Sequence, residues 1–107
     1  MAERLEQLMK YLEASPQDSF LLYSVAYEHL QAGRLETALD YFGQLRASDP
    51  DYTGLYYHLG KTLLQLGREA EALEAYEAGI ETASRLRDRH ALGELQRARQ
   101  QVEDERW

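Results

Sequence analysis

The sequence of 107 residues contains no cysteine and no asparagine. The lack of cysteine excludes disulfide bonds and thiolate metal sites. A chain that needs no disulfides is suited to a reducing compartment, so we expect a cytoplasmic protein. Asparagine is thermolabile, and its absence, together with ten arginines against two lysines, indicates a GC-rich or thermophilic bacterial source.

Long apolar runs and a basic charge balance are missing too. No apolar stretch approaches the roughly 18 residues that a membrane helix needs, and the acidic N-terminal segment is unlike a secretory signal. The net charge is −7, whereas proteins that bind nucleic acids usually present basic surfaces to the phosphates. We therefore expect neither a membrane nor a nucleic acid as a partner.

Residues that favour β-strands are scarce, with two valines, one isoleucine and four threonines. The chain is instead rich in leucine, alanine, glutamate, arginine and glutamine, which are all good helix formers. No segment shows the alternation of apolar and polar residues typical of a strand. The composition predicts an all-α protein, and the length predicts a single domain covering residues 1–107.

A period of 34 residues organises the chain. The pentapeptide LQAGR at residues 30–34 returns as LQLGR at residues 64–68, and Pro16 and Pro50 are separated by the same interval. When residues 19–52 are placed over residues 53–86, eight of the 34 positions are identical, whereas a chance overlay would give about three. This match predicts two copies of one structural unit.

Each copy has the pattern of a helix, a short turn and a second helix. In the first copy, Leu22, Val25 and Ala26 lie on one helical face, and Gly33 is suited to end that helix. A second apolar stripe follows, and Pro50 closes the copy. Small residues predict a close crossing of the two helices in each copy: Ala26 with Ala38, and Gly60 with Ala72.

The pattern extends beyond the two complete repeats at both ends. Residues 2–14 continue the stripe of a second helix, and residues 88–105 form an amphipathic pattern whose polar back suits the end of a repeat array. Either Ser15 or Asp18 could cap the helix of the first repeat, and Asp88 could cap the last helix. We therefore expect about six helices: one in residues 2–14, two in 19–52, two in 53–86 and one in 88–105.

These residues resemble the signature of the tetratricopeptide repeat. The matching positions are Leu22, Val25, Ala26, Ala38, Phe42 and Pro50 in the first copy, and Tyr56, Leu59, Gly60, Ala72, Tyr76 and, in place of proline, Ser84 in the second. The departures are His29 and Leu63 in place of tyrosine, and Leu45 and Gly79 in place of alanine. The resemblance implies a right-handed superhelical stack of antiparallel helix pairs that binds peptides or partner proteins on a concave face.

The first helix of each copy is apolar over a wider arc than one packing partner requires. The extra residues predict a binding groove, since tyrosines offer a large contact area and a hydroxyl at low entropic cost. Its candidate residues are Tyr23, Tyr27, Tyr57, His58, Lys61 and Gln65. Some family members hold a chaperone's terminal carboxylate with a Lys/Asn/Arg clamp; Tyr23, Tyr27 and His58 stand at the matching positions, so we do not expect that ligand.

Two other uses of the tyrosines remain open. The terminal helices could cover them inside the monomer, which would make them part of the core. Alternatively, the same face could mediate self-association into a homo-oligomer, because exposed apolar patches often mark interfaces.

Catalysis is not expected. His29, His58 and His90 are separated by 29 and 32 residues, so they lack the spacing of a metal site. The sequence also has no nucleophile–base motif and no glycine-rich phosphate loop. The sequence therefore predicts a binding protein rather than an enzyme, without a metal or another cofactor.

Overall fold

The computed structural model describes residues 2–106, which form six α-helices and no β-strand. The predicted all-α class is therefore confirmed. The chain divides into two compact units, which we call unit 1, ending at Tyr52, and unit 2, beginning at Thr53. Unit 1 contains α1 (Ala2–Ala14), α2 (Ser19–Gln31) and α3 (Leu35–Ser48), and unit 2 contains α4 (Gly54–Gln65), α5 (Glu69–Leu86) and α6 (Arg89–Glu105).

The repeated pentapeptide forms the turn between α2 and α3 in unit 1 and between α4 and α5 in unit 2. Gly33 has a φ of 79° and Gly67 a φ of 76°, a left-handed conformation that costs glycine little. The N–H groups of Gly33 and Arg34 donate hydrogen bonds to carbonyl groups in the last turn of α2. These hydrogen bonds satisfy carbonyls that lack a partner at the end of the helix. Gly67 and Arg68 do the same for α4.

Aspartates cap two of the helices. Asp18, rather than Ser15, is the N-cap of α2, and its carboxylate accepts the Leu21 N–H at 3.0 Å. Asp88 caps α6 as predicted and accepts the Ala91 N–H at 3.1 Å. Each carboxylate also lies near the positive end of a helix dipole, which is favourable for a negative charge.

The core of unit 1 forms where α2 packs against α3, while α1 also contacts α2. Ala26 and Ala38 are fully buried, as the predicted close crossing of two helices requires. Leu45 is also fully buried, so a side chain larger than the usual alanine fits at this position. The other large buried side chains of unit 1 are Leu8, Leu12, Leu22, Val25, Leu30 and Phe42.

The core of unit 2 forms around α5, which packs against both α4 and α6. Gly60 is required at the contact of α4 with α5, because a Cβ at this position would lie 2.2 Å from the Cε1 atom of Tyr76. The largest buried side chains of unit 2 are Leu55, Tyr56, Leu59, Leu63, Tyr76 and Leu95. Within residues 2–106, no helix combines the length and apolarity needed to cross a membrane.

Candidate functional site

Two tyrosines occupy equivalent positions on the first helices, Tyr23 on α2 and Tyr57 on α4. Each follows a residue that is almost completely buried, Leu22 and Tyr56, with 2% of their surface exposed. Because one residue turns a helix by about 100°, the following side chain points away from the centre of the core. Tyr23 and Tyr57 are accordingly only partly buried.

In unit 1, Tyr23 is the centre of an aromatic cluster. Its ring stacks on Tyr27 with centroids 6.3 Å apart, meets the buried Phe42 edge-on at 6.4 Å and lies 5.5 Å from the ring of Tyr52. We call Tyr23, Tyr27 and Tyr52 the tyrosine patch. Phe42 anchors the patch to the core, since aromatic pairs at these distances attract one another.

Sequence reasoning identified Tyr23 and Tyr27 but missed Tyr52, which lies in the connection after α3. No helical periodicity marks a residue in a loop. The only signal in the sequence is an aromatic residue two positions after Pro50, where the turn can fold it back onto α2.

Two carboxylates border the tyrosine patch. Asp49 accepts a hydrogen bond from the Ser19 hydroxyl at 2.6 Å, and its carbonyl accepts the Tyr52 N–H at 3.1 Å. Asp18 is the neighbour of Ser19 in the chain. Burial raises the pKa of the Tyr52 hydroxyl, and the negative charges of Asp18 and Asp49 raise it further. Tyr52 therefore stays protonated in a region of negative potential.

In unit 2, charged and aromatic groups surround Tyr57. The Lys61 ammonium lies over the Tyr57 ring, 5.7 Å from its centroid, within the range of a cation–π interaction. The His58 ring meets Tyr57 edge-on at 5.2 Å. The structure thus brings together three of the predicted residues of α4, while Gln65 is an exposed residue at the end of this helix.

A cleft of about 190 Å³ lies between α4 and α6. Tyr57, Lys61 and Leu64 line it from α4, and Tyr76 of α5 also contributes to its wall. Helix α6 forms the opposite wall of the cleft and therefore lies next to Tyr57. It does not cover Tyr57 completely, since this residue is only partly buried. The residues that α6 contributes are Ala98, Gln101, Val102 and Glu105.

Burial sets the protonation of the groups near this cleft. Burial raises the pKa of Tyr76 to about 12, with a smaller contribution from Tyr57. The pKa of His58 is lowered, chiefly by burial; Lys61 acts in the same direction, and Glu94 acts against it. At neutral pH the His58 ring is therefore uncharged, with one nitrogen that is a donor and one that is an acceptor.

His29 has a structural role. Its ring stacks on Tyr41 with centroids 5.6 Å apart, and its Nδ1 accepts a hydrogen bond from the Nε of Arg34 at 2.8 Å. Residues 2–106 contain no group of three histidine, aspartate or glutamate side chains placed to hold a metal ion.

Comparisons with known proteins agree with a fold built from helix pairs. The family model described as tetratricopeptide repeat matches residues 29–92. A TPR repeat-containing protein of Pseudomonas aeruginosa is 30% identical over 91 residues, which cover 85% of this chain and 87% of that protein. The crystal structure of a tetratricopeptide repeat domain protein from Salinibacter ruber superposes with a TM-score of 0.78, at 41% identity, covering 81% of this chain and 97% of the other.

A longer relative also matches. The small glutamine-rich tetratricopeptide repeat-containing protein 2 of Mycosarcoma maydis is 32% identical over 77 residues, which are 72% of this chain. The chain spans only 22% of the length of that protein. The match therefore concerns the repeat region alone.

Proposed function

Because the chain belongs to the tetratricopeptide repeat family, whose members generally act as protein-interaction modules, we propose that it binds a peptide segment of a partner protein. The proposed contact residues are those that the first helices present beside the core. They are Tyr23 and Tyr27 on α2, and Tyr57, His58, Lys61 and Gln65 on α4.

The observation that carries this proposal is the repeated position of Tyr23 and Tyr57. Each ring leaves part of its surface exposed although it adjoins a residue that is buried in the core. A tyrosine has few rotatable bonds, so its immobilisation on binding costs little entropy. Its ring supplies apolar contact area and its hydroxyl a hydrogen bond. Each unit thus offers a tyrosine at the same position of its repeat as a contact for a peptide segment.

Self-association is the second candidate function. On α2 itself, Phe20 exposes 60% of its surface, and Tyr11 on α1 exposes 55%. A second copy could cover such residues together with the tyrosines. Light scattering over a concentration series separates the two candidates, since a self-associating chain increases in mass with concentration, whereas a chain that binds only other proteins stays monomeric.

The test of partner binding uses a library of random peptides displayed on phage. We expect the full chain to enrich a family of related peptides, and we expect Tyr27→Ala and Tyr57→Ala each to weaken binding of a selected peptide about tenfold. That factor corresponds to about 1.4 kcal/mol, which is reasonable for the loss of one aromatic contact. Thermal unfolding of each variant should stay close to that of the unaltered protein.

Tyr11→Ala is the matched control, because it makes the same change at a tyrosine that is 55% exposed on α1. It should leave peptide binding unchanged. If all three variants bind equally well, or if no peptide is enriched, the tyrosine faces are not a peptide site. A large loss of stability in Tyr27→Ala and Tyr57→Ala would show instead that these rings belong to the core.

A further inference from the structure

Unit 2 carries a hydroxyl group at a core position where unit 1 has none. Tyr76 on α5 stands 34 residues after Phe42 on α3, at the equivalent position of the repeat. Both side chains are fully buried. Since a phenylalanine fills this position in unit 1, packing of the core does not require the hydroxyl of Tyr76.

Gly60 allows the hydroxyl of Tyr76 to reach the cleft between α4 and α6. A Cβ at residue 60 would lie 2.2 Å from the Cε1 atom of Tyr76 and 2.6 Å from its Cζ atom. The hydroxyl is bonded to Cζ, so it lies close to the backbone of α4 at Gly60. Tyr57 and Leu64 share this face of α4 with Gly60, and both line the cleft together with Tyr76. The Tyr76 ring thus extends from the core to the cleft.

The Tyr76 hydroxyl forms no hydrogen bond in the part of the chain that the structure describes. Every polar side-chain atom that is fully shielded from solvent in this part has a hydrogen-bond partner, so the hydroxyl oxygen must be reached through the cleft. A nearly buried hydroxyl without a hydrogen bond reduces the stability of the fold. The hydroxyl is therefore suited to bond to a molecule that occupies the cleft.

Two opposite charges line the same cleft, Lys61 from α4 and Glu105 from α6. The Lys61 ammonium lies over the Tyr57 ring, and the Glu105 carboxylate lies 3.5 Å from the side-chain nitrogen of Gln101. Neither charge forms an ion pair with another of the described residues. The cleft thus presents one cation and one anion that do not neutralise each other by direct contact.

The helix ends show how these groups are arranged. The Nε of Arg106, directly after α6, donates to the Glu69 carboxylate at 2.6 Å, and Glu69 begins α5 shortly after the end of α4. The C-terminal ends of α4 and α6 therefore lie at the same end of unit 2. Glu105 lies at this end of the cleft, and the hydroxyl of Tyr76 lies further in, beside Gly60.

Apolar side chains complete the lining of the cleft. They are Leu64 from α4, and Ala98 and Val102 from α6. The cleft volume of about 190 Å³ is below the roughly 300 Å³ at which pockets for drug-sized ligands begin. A matching ligand is therefore a small molecule that carries both charges and a short apolar group.

We propose that this cleft binds a free α-amino acid with a small apolar side chain, such as valine. Its carboxylate accepts hydrogen bonds from the Tyr76 hydroxyl and the Lys61 ammonium, and its ammonium group donates to the Glu105 carboxylate. A ligand with a single charge would meet a like charge at one end of the cleft, whereas a zwitterion is complementary to both ends. This inference goes beyond the proposed function, since it assigns a small-molecule site to unit 2.

The direct probe is L-valine, titrated into the isotope-labelled full chain and followed by NMR. We expect saturable shifts at Tyr57, Lys61 and Val102, with the millimolar affinity that a ligand of few atoms can reach. Glycine lacks the apolar side chain and should bind at least threefold more weakly. Absence of saturable shifts with both valine and leucine would overturn the proposal.

Two derivatives of valine test its two charges separately. N-acetyl-valine keeps the carboxylate and loses the ammonium group, whereas valine amide keeps the ammonium group and loses the carboxylate. Each derivative should bind at least fivefold more weakly than valine. If either of them binds as tightly as valine, the ligand is not recognised as a zwitterion and the proposal is wrong.

The role of the hydroxyl is tested by Tyr76→Phe, which introduces the residue that unit 1 has at the equivalent position and should preserve the fold. This variant should bind valine at least fivefold more weakly. Tyr41→Phe is the matched control, because it removes a hydroxyl of unit 1 that donates to the Sδ of Met9, and it should leave binding unchanged. Thermal unfolding shows that both variants fold. Equal binding by the two variants would contradict a contact of the ligand with Tyr76.

The variants Lys61→Met and Glu105→Gln distinguish the two ends of the ligand. Lys61→Met should reduce the preference for valine over valine amide at least threefold, because the carboxylate loses its cation. Glu105→Gln should reduce the preference for valine over N-acetyl-valine to a similar extent. Lys10→Met and Glu81→Gln remove the same charges at exposed positions of α1 and α5 and should preserve both preferences. A variant of the cleft that weakens all three ligands equally would contradict the assigned contacts.

Failure of this inference and failure of the proposed function give different results. A chain that binds valine but enriches no peptide would support the cleft site and contradict the peptide site. A chain that enriches peptides but does not bind valine would support the peptide site and overturn this inference.

Discussion

Gly79 lies directly against the side chain of Tyr56: a Cβ at residue 79 would come within 2.5 Å of the Tyr56 Cβ and 2.8 Å of the Leu95 Cδ1. In unit 1 the equivalent residues are Leu45 and Leu22, both nearly or fully buried. Unit 1 thus combines two leucines where unit 2 combines a tyrosine and a glycine. In unit 2 the large side chain of Tyr56 leaves room only for a glycine at residue 79, whereas in unit 1 two leucines share the equivalent space. A close-packed core accepts either combination.

Gly79→Ala should destabilise unit 2 by about 1–3 kcal/mol, because the added methyl group meets the Cβ of Tyr56, which cannot move without its helix. The better helix propensity of alanine offsets only part of this cost. Chemical denaturation measures the change. Gly43→Ala is the control: residue 43 is an exposed position of α3 with no atom near a new Cβ, so this variant should gain about 0.5–1 kcal/mol.

The helices and turns could be predicted because local signals mark them. Gly33 and Gly67 are needed for a positive φ, and Asp88 caps a helix through its own side chain. Small residues such as Ala26 and Ala38 reveal a close crossing because the space is absent for anything larger. The turn glycines, the aspartate cap and the small residues at the crossing each depend on a few neighbouring residues or recur at the repeat interval. Short-range patterns and a fixed interval can be recognised in a sequence.

The candidate site was predictable only in part, because it depends on contacts between distant segments. The helical period places Tyr23 beside the core, but the contact of its ring with Tyr52 depends on the path of the chain after α3. The period likewise places Leu45 and Gly79 at equivalent positions. It does not reveal that Tyr56 and Leu95 fill the space next to Gly79.

Ala38→Leu should destabilise unit 1 by about 1–3 kcal/mol or more. Ala38 is fully buried on α3, and a larger side chain would force α2 and α3 apart. Denaturant unfolding should show a lower midpoint. Ala70→Leu makes the same change at an exposed position of α5 and should alter stability by less than about 0.5 kcal/mol. Equal effects of the two changes would contradict a close crossing at Ala38.

Hydrogen bonds tie the start of α2 in unit 1, and the start of α4 in unit 2, to a later segment of the same unit. The Thr53 hydroxyl donates to Asp88 at 2.7 Å, as the Ser19 hydroxyl donates to Asp49 at 2.6 Å. Thr53→Val removes the donor and keeps the shape of the side chain. It should lower the unfolding midpoint at neutral pH, because the Asp88 carboxylate loses a partner that holds it in its charged form.

The effect of Thr53→Val should also depend on pH. The hydrogen bond from Thr53, followed by that from the Ala91 N–H, lowers the pKa of Asp88 below its ordinary value of 3.8. An aspartate with a lowered pKa in the folded state stabilises the fold above its unfolded pKa, and this stability is lost as the pH falls through the folded value. The difference between variant and unaltered protein should therefore shrink below about pH 4. A difference that stays constant down to pH 2 would contradict this account.

His29 predicts a second, milder pH dependence. Burial and the nearby Arg34 lower the pKa of His29 below 6.5, and the hydrogen bond from Arg34 needs an unprotonated Nδ1. A histidine with a lowered pKa stabilises the fold fully above its unfolded pKa, and the stability falls as the pH drops from about 6.5 through the folded value. His29→Leu copies the residue that unit 2 has at position 63 and removes this titration, so its stability should change less between pH 7 and pH 5. NMR titration of the His29 ring measures the pKa directly, and a midpoint above 6.5 would mean that the protonated ring is stabilised, contrary to the stacking and hydrogen bonding described.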